Sequence, residues 1–393
     1  MKSIKTNFKE IGILILILIS FKAHGDEAIE IMPINVTGQS INEQSYISGD
    51  YLTDKLIKFN SIKSNNSGSL LDYFTGVNSA KNGGGSSMPV IRGLADDRIK
   101  IKVDGMDLIA ACANHMNSPL SSITSSNVEQ IKVFAGLTPV SLGGDSIGGS
   151  ILINSSQPQF SKNGETLSKN KLSTFFRSNN KSKSLNINSM IASENLSLNY
   201  NGSYIYAENF MAGKSFKESG NAASDREFIR GDEVGSSAFK DSNHMLTLGA
   251  RKDDQLFNLK IGYQKTPAQG FSNQRMDSTK NEVIKINMAY ENNYNWGKLE
   301  ARVFNEKTQH SHNFGKDKQL AYSMKVEGMP MNAQGHNLGF NIKADILFSQ
   351  KDLITIGSEF QRYRLNDWWT RSGTGPMSPN TFQNINNGER DRL

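Results

Sequence analysis

From residue 161 onward the chain is a succession of long segments in which apolar and polar residues alternate. That period constrains the fold more than any other feature. "LSLNYNGSYIYAEN" (196–209), "EVIKINMAYEN" (282–292) and "LITIGSEFQRYR" (353–364) are examples among nine such segments, the first being "KLSTFFRSN" (171–179). Period two is the repeat of a β-strand whose two faces meet different surroundings. The connections alternate in length: "EN" at 194, "DD" at 253, "NNYNWG" at 292 and "SQKD" at 349 are tight, whereas 211–242, 266–281 and 309–336 are long. Short turns on one rim and long loops on the other predict a transmembrane antiparallel β-barrel. A secreted sandwich or solenoid is the alternative, but sandwich strands run to roughly 5–6 residues, and these run to 9–13. Barrels of this type have an even number of strands, and an open edge cannot face lipid. Nine strands, with "NGERDRL" at the end read as an outer loop, therefore predict a C-terminally incomplete barrel whose remainder is more barrel.

A chain bound for an outer membrane needs an export signal. Lys2, Lys5 and Lys9 precede the apolar run "IGILILILISF" (11–21) and the small-residue site "AHG" before Asp26. This is the pattern of a Sec signal peptide over 1–25, and the apolar run is shorter than the ~20 residues that a membrane-spanning helix needs. The 44 Lys and Arg residues are scattered, and the net charge of +6 carries no basic stripe interleaved with aromatics, so nucleic acid is not an expected partner.

Between leader and barrel the chain changes character. Residues 26–46 hold an extended segment and a polar linker, and 47–160 read as a small mixed α/β domain. A helical stretch "SLLDYFTGV", a glycine-rich turn "NGGGSS", and strands in "MPVIRG", "RIKIKVDGM", "NVEQIKVFAGL" and "SIGGSILINSS" follow in order. In one of them Ile99, Ile101 and Val103 alternate with Lys100, Lys102 and Asp104, which predicts a half-buried strand with the charges in water. Glycines at 83–85, 143, 144, 148 and 149 are expected at turns that need positive φ. No phosphate-binding loop or nucleophile elbow occurs: "GGGSS" lacks the following Lys-Ser/Thr, and the carboxylates are dispersed. The chain reads as a transporter with no catalytic residue and no catalytic cofactor.

"PVIRGLADDRIKIKVDGM" and "VEQIKVFAGLTPVSLGGDSIGGSILINS" resemble the two plug motifs of TonB-dependent outer-membrane receptors, in the right order. In that family a globular plug sits inside a barrel of about 22 strands. The resemblance covers the whole mature chain and implies a mixed α/β plug domain (47–160) followed by the N-terminal part of the barrel (161–393). It implies a location in the outer membrane among its lipid, and the periplasmic TonB complex as partner. "INVTG" resembles a TonB box, so Ile34, Asn35, Val36, Thr37 and Gly38 are the expected pairing strand. Strand addition works through backbone hydrogen bonds and tolerates varied side chains.

The only cysteine lies in "ACANHMNSP" (111–119). A single cysteine in an exported protein is unusual; a small buried hydrophobe is one reading. "CANHM" resembles the Cys-x-x-x-Met plug stretch of the TonB-dependent copper receptors, which implies Cys112 and Met116 as soft sulfur ligands suited to copper. "GFSNQRMD" (270–277) and "YRLNDWW" (363–369) resemble loop-proximal barrel segments of the same group. Its barrel contributes a His-x-Met pair, and the corresponding "TQHSHNF" gives His310 and His312. Histidine in place of methionine leaves copper(I) preference open against copper(II) and zinc. His115 is expected as a neighbour, Met324, Met329 and Met331 as fillers of irregular gaps, His244 and His336 as interfacial residues near strand starts, and Trp368 and Trp369 as part of an aromatic girdle. The expected cargo is a metal ion, copper first. An iron-siderophore or other chelate is the alternative cargo, and a truncated, non-transporting or porin-like surface protein is the alternative class.

Overall fold

The computed structural model describes residues 50–393 apart from 53, 65, 82, 113–114, 144–145, 223–226, 319–327, 329, 350–351 and 372–380. The expected signal peptide and the 34–38 segment, together with Met324 and Met329, lie outside the described residues.

The first part is built on β1 (Asp50–Leu52), α1 (Asp54–Lys63), β2 (Val77–Lys81), β3 (Ser87–Ile91), β4 (Ile99–Val103), β5 (Met106–Asp107), β6 (Val128–Ala135) and β7 (Gly149–Ser155). Five of the strands form a mixed sheet in the order β1-β6-β7-β4-β5, with β4 and β7 parallel, and β2 and β3 form a separate antiparallel pair. Leu70, Leu71, Ile91, Ile131, Ile151 and Ile153 are its fully buried centre. The stretch expected as helical is a 3₁₀ helix over Ser67–Tyr73, started by the Asn66 side chain accepting from the Gly68 N–H.

Two expectations for this domain need correction. Lys100 and Lys102 are buried, so β4 is covered on both faces. The second face meets the barrel wall, where Lys102 Nζ finds Glu359 Oε2 at 2.6 Å. Among the glycines, Gly83, Gly143 and Gly149 take positive φ, whereas Gly84 and Gly148 do not. Gly84 is there for closeness: a Cβ on it would stand 2.7 Å from the Phe239 ring.

The second part is one ten-stranded antiparallel sheet. Its strands are β8 (Leu167–Arg177), β9 (Ser182–Ala192), β10 (Leu196–Ala207), β13 (Phe239–Lys252), β14 (Gln255–Gln269), β15 (Asp277–Tyr294), β16 (Gly297–Asn313), β17 (Met331–Leu347), β18 (Leu353–Trp369) and β19 (Phe382–Arg392). A two-residue pair, β11 (Gly220–Asn221) and β12 (Phe228–Ile229), sits in the connection between β10 and β13. Each large strand pairs with the next, and β8 and β19 are the two ends of the order.

The count of nine strands is therefore corrected to ten. The last residues are not a loop: β19 pairs with β18, and Arg362 meets Asp391 at 2.6 Å across the pair. Its ladder is held by backbone bonds and exposed ion pairs, so it lacks the apolar period by which the others are legible. The connection expected over 266–281 also shrinks to 270–276, because β14 and β15 run further than their apolar residues do.

The alternation is inside-out. On β15, Ile284, Ile286 and Met288 face outward, Ile284 at 50% exposure, while Lys285 and Asn287 between them are buried, Lys285 at 5%. A sheet with apolar residues outside and polar residues inside suits lipid on one face and a polar filling on the other. The filling is the first domain. Asn337 and Gln361 each donate to the Asp107 carbonyl at 2.8 Å, and Asn127 donates to Asn243 Oδ1 at 3.0 Å. Tight turns (193–195, 253–254, 295–296, 348–352) gather on one rim, and the longer connections (208–238, 270–276, 314–330, 370–381) on the other.

Candidate metal centre

Cys112 and Met116 lie on a loop that follows β5. The His115 N–H donates to the Cys112 carbonyl at 2.9 Å, closing a turn, and His115 sits at φ +51°. Ser118 Oγ donates to the Ser87 carbonyl at 2.7 Å, tying the loop to β3, and a 3₁₀ helix begins at Pro119. This turn points Cys112 and Met116 toward the wall. His115 points away from them, its ring 3.9 Å from Asp96 and 3.8 Å from Asp97. It is thus a neighbour, as expected.

From the wall, β16 brings two imidazoles. Residues two apart on a strand face the same side, and the inner face of β16 carries Phe304, Glu306, Thr308, His310 and His312 in file. Both rings are buried, His312 at 1% exposure. Cys112 Sγ lies 3.4 Å from His312 Nε2, and the Nε2 atoms of His310 and His312 face each other in close contact. One donor atom from each of Cys112, His310 and His312 falls within 4.8 Å of the others. The rings stand edge to face, 78° apart, so their nitrogen lone pairs converge.

Asn281 fixes which nitrogen is free. It pairs with His310 across β15 and β16, and its Oδ1 lies 3.0 Å from His310 Nδ1. An amide oxygen only accepts, so the proton sits on Nδ1 and the Nε2 lone pair is presented to the cluster. Two Nε2 atoms at contact share one proton, and a cation that bound both would take both lone pairs in its place. Thiolate, imidazole and thioether are a donor set for copper or zinc, not for magnesium or calcium.

Met116 is buried in the same cluster with Met276, Met331, Phe271, Phe314 and Ala333, and Leu365 and Trp369 pack against it. Five residues here escape sequence reasoning or are misread by it. Asn281 carries no signal of its own, because its role follows from register. Phe271, whose ring centroid lies 5.9 Å from that of His312, and Met276 both come from "GFSNQRMD", the stretch whose resemblance marked it without assigning roles. Met331 lies directly opposite His312 in the β16–β17 register, so it lines the centre itself. Trp369, expected in a girdle, faces inward against the cluster; only Trp368 lies on the outward-facing side of β18. His244 and His336 are mid-strand residues far from this group. His244 Nδ1 meets the Tyr200 hydroxyl at 2.8 Å, and His336 meets Asn305 at 2.8 Å.

Residues 52–150 match the family model of the TonB-dependent Receptor Plug Domain. No curated protein sequence matches the chain. Among solved structures, the copper transporter OprC superposes with a TM-score of 0.68 at 18% identity, over 84% of this chain and 47% of that one. The FrpB iron transporter from Neisseria meningitidis, in its apoprotein form, gives 0.65 at 17% identity, over 82% and 49%. The ferric enterobactin receptor PfeA gives 0.58 at 16%, over 81% and 50%. At these identities the likeness is one of fold. Residues 52–150 thus match the plug domain of TonB-dependent receptors, the strands after them share the fold of these structures, and the chain spans about half the length of the structures it matches.

Proposed function

With that plug and barrel as the premise, we propose that the protein is a TonB-dependent outer-membrane receptor that takes up a metal ion, copper in preference to other ions, at a centre shared between plug and wall. Cys112 and Met116 supply sulfur from the plug; His310 and His312 supply nitrogen from the wall. The observation that carries this reading is the convergence of Cys112, His310 and His312 on one buried point from positions about 200 residues apart. A cysteine that served only as a buried hydrophobe needs no imidazole beside it.

Copper is favoured by thiolate with thioether, and by the position of copper at the top of the divalent affinity order. A ferric chelate fits less well, because Cys112 and Met116 are buried in one cluster with Phe271 and Phe314, with Trp369 packed against it. A porin-like surface protein leaves the cluster without a reason. In this reading residues 1–25 direct export, 26–46 carry the 34–38 segment that pairs with TonB, 47–160 are the plug and 161–393 belong to the barrel. Metal bridging plug and wall biases the plug, and the pull of TonB on the 34–38 segment drives uptake.

The test is a titration of the intact receptor with copper(I), copper(II), zinc(II) and a ferric chelate, with alkylation of Cys112 as the reporter. Copper should protect the thiol, since a metal-bound thiolate is withdrawn from reaction, and the chelate should not. Equal alkylation with and without every metal would sink the reading.

A further inference from the structure

Directly below the centre lies a cavity of about 30 Å³ whose walls include Cys112 and His310 and, beyond them, Asn117, Asn281, Glu306 and Thr308. A space of that size holds one or two water molecules or one cation. Glu306 is four residues from His310 on the inner file of β16, about 13 Å along the strand toward the short-turn rim at a rise of ~3.3 Å per residue. The cavity thus leads from the centre down the wall.

Two of its lining side chains are in states that water in a protein interior rarely leaves uncorrected. Asn117 is 94% buried, and among the described residues neither its amide nitrogen nor its amide oxygen has a hydrogen-bond partner. Glu306 is 95% buried and receives one hydrogen bond, from Asn337 Nδ2 at 3.3 Å, with no ion pair within 4.0 Å among the described residues. A buried carboxylate is costly unless a cation or several donors meet it, and buried amides are normally satisfied. Lys285, the nearest ammonium whose field reaches Glu306, directs its hydrogens to the Ser122 carbonyl at 2.8 Å and hydroxyl at 3.0 Å.

We propose that this chamber is a second cation station, lined by the Glu306 carboxylate and the Asn117 amide oxygen, which receives the ion after it leaves Cys112. The proposal rests on the metal-receptor reading and extends it. Oxygen donors favour a divalent ion over copper(I), so the station selects the divalent form of the cargo. The transfer is a ligand exchange: sulfur and nitrogen release the ion, carboxylate and amide oxygen take it, and no electron moves. Lys285 keeps the station shallow. A pathway needs sites that bind well enough to be entered and weakly enough to be left, and a lysine facing Glu306 weakens its hold on a second positive charge.

Crystals of the intact receptor soaked in zinc(II), and separately in copper(II), and measured at the metal absorption edge, should give two peaks, one between Cys112 and the imidazoles and one between Asn117 and Glu306. Glu306→Gln should abolish the lower peak, leave metal protection of Cys112 intact and reduce uptake at least tenfold. Asn117→Asp and Lys285→Met should both strengthen the lower peak, so the proposal stays testable if Glu306→Gln does not fold. A missing lower peak, or one that survives Glu306→Gln, overturns the station and makes the cavity a site for water alone. A missing upper peak overturns the metal-receptor reading instead.

Discussion

The plug touches the wall by opposite chemistries at its two ends. Toward the long-loop rim the contact is sulfur, imidazole and aromatic carbon: Cys112, Met116, His310, His312 and Phe271 form a buried cluster with one polar anchor, Asn281. Toward the short-turn rim it is charge. Asp104 accepts from Lys260 at 2.7 Å and from the Ser155 hydroxyl at 2.7 Å, and Glu359 meets Lys102 at 2.6 Å and Lys100 at 3.4 Å, beside a cavity of about 640 Å³. Burial alone would push the Asp104 carboxyl up, but the Lys260 ammonium and the Ser155 hydrogen bonds more than offset it and hold the group below its ordinary range. Burial likewise pulls the Lys102 ammonium down, against the opposing pull of Glu359. The charged end is complete as it stands, since each ion already has its partner. On the proposed reading the soft end acquires its bridge only when a cation arrives, which separates anchoring from sensing along one interface.

That separation can be broken in order of expected effect. Lys260→Met leaves Asp104 buried and unpaired, which costs about 3–5 kcal/mol. Denaturant unfolding of the metal-free receptor should register that loss, while copper affinity stays within about twofold because the sites are distant. A comparable loss of copper affinity would merge the two ends into one unit.

Cys112→Ala is the mirror experiment. It should lower copper affinity by more than about a hundredfold, beyond the usual effect of removing a supporting partner, and it should exceed the loss from Met116→Ala because a thiolate is charged and a thioether is not. Unfolding of the metal-free protein should change little by comparison.

Asn281→Leu tests whether orientation alone matters. Freed from the amide, His310 can carry its proton on Nε2, and copper affinity should fall about 10–100-fold. An unchanged affinity would mean that β16 holds the ring without help.

The last test concerns acid. A carboxyl held below its ordinary value contributes stability that is fully present above the unfolded value, near 4, and is lost as pH falls through the folded value. The Asp104–Lys260 anchor should therefore contribute evenly from pH 5 to 8, and Asp104→Asn should lower the melting temperature by the same amount across that range. A penalty that varies within that range would assign the anchor to another group.

How much of this was legible depended on how each residue declares itself. Apolar period two announced nine strands, and the tenth escaped because Gln383–Arg392 has Ile385 as its one large apolar residue and is held by its ladder with β18. Lys100 and Lys102 looked solvated because a sequence shows one strand's alternation and not the second surface laid against it. The proposed ligand set became visible through resemblance to motifs about 200 residues apart; no local spacing joins Cys112 to His312. Asn281 and Met331 were illegible for a stricter reason. Their roles exist only once β15, β16 and β17 are paired in one register, opposite His310 and His312 respectively.

That register has a consequence for assembly. A strand that slips by one residue exchanges its two faces completely, so a misplaced β16 would send both imidazoles outward with Ile284 and Met288 and bring Gln309 and Ser311 inside. The error would leave the strand count, the turns and most of the backbone ladder intact, and ordinary probes of folded content would pass it. A copper-protected thiol would not. On the proposed metal reading, the fraction of Cys112 that copper shields measures the fidelity of strand insertion.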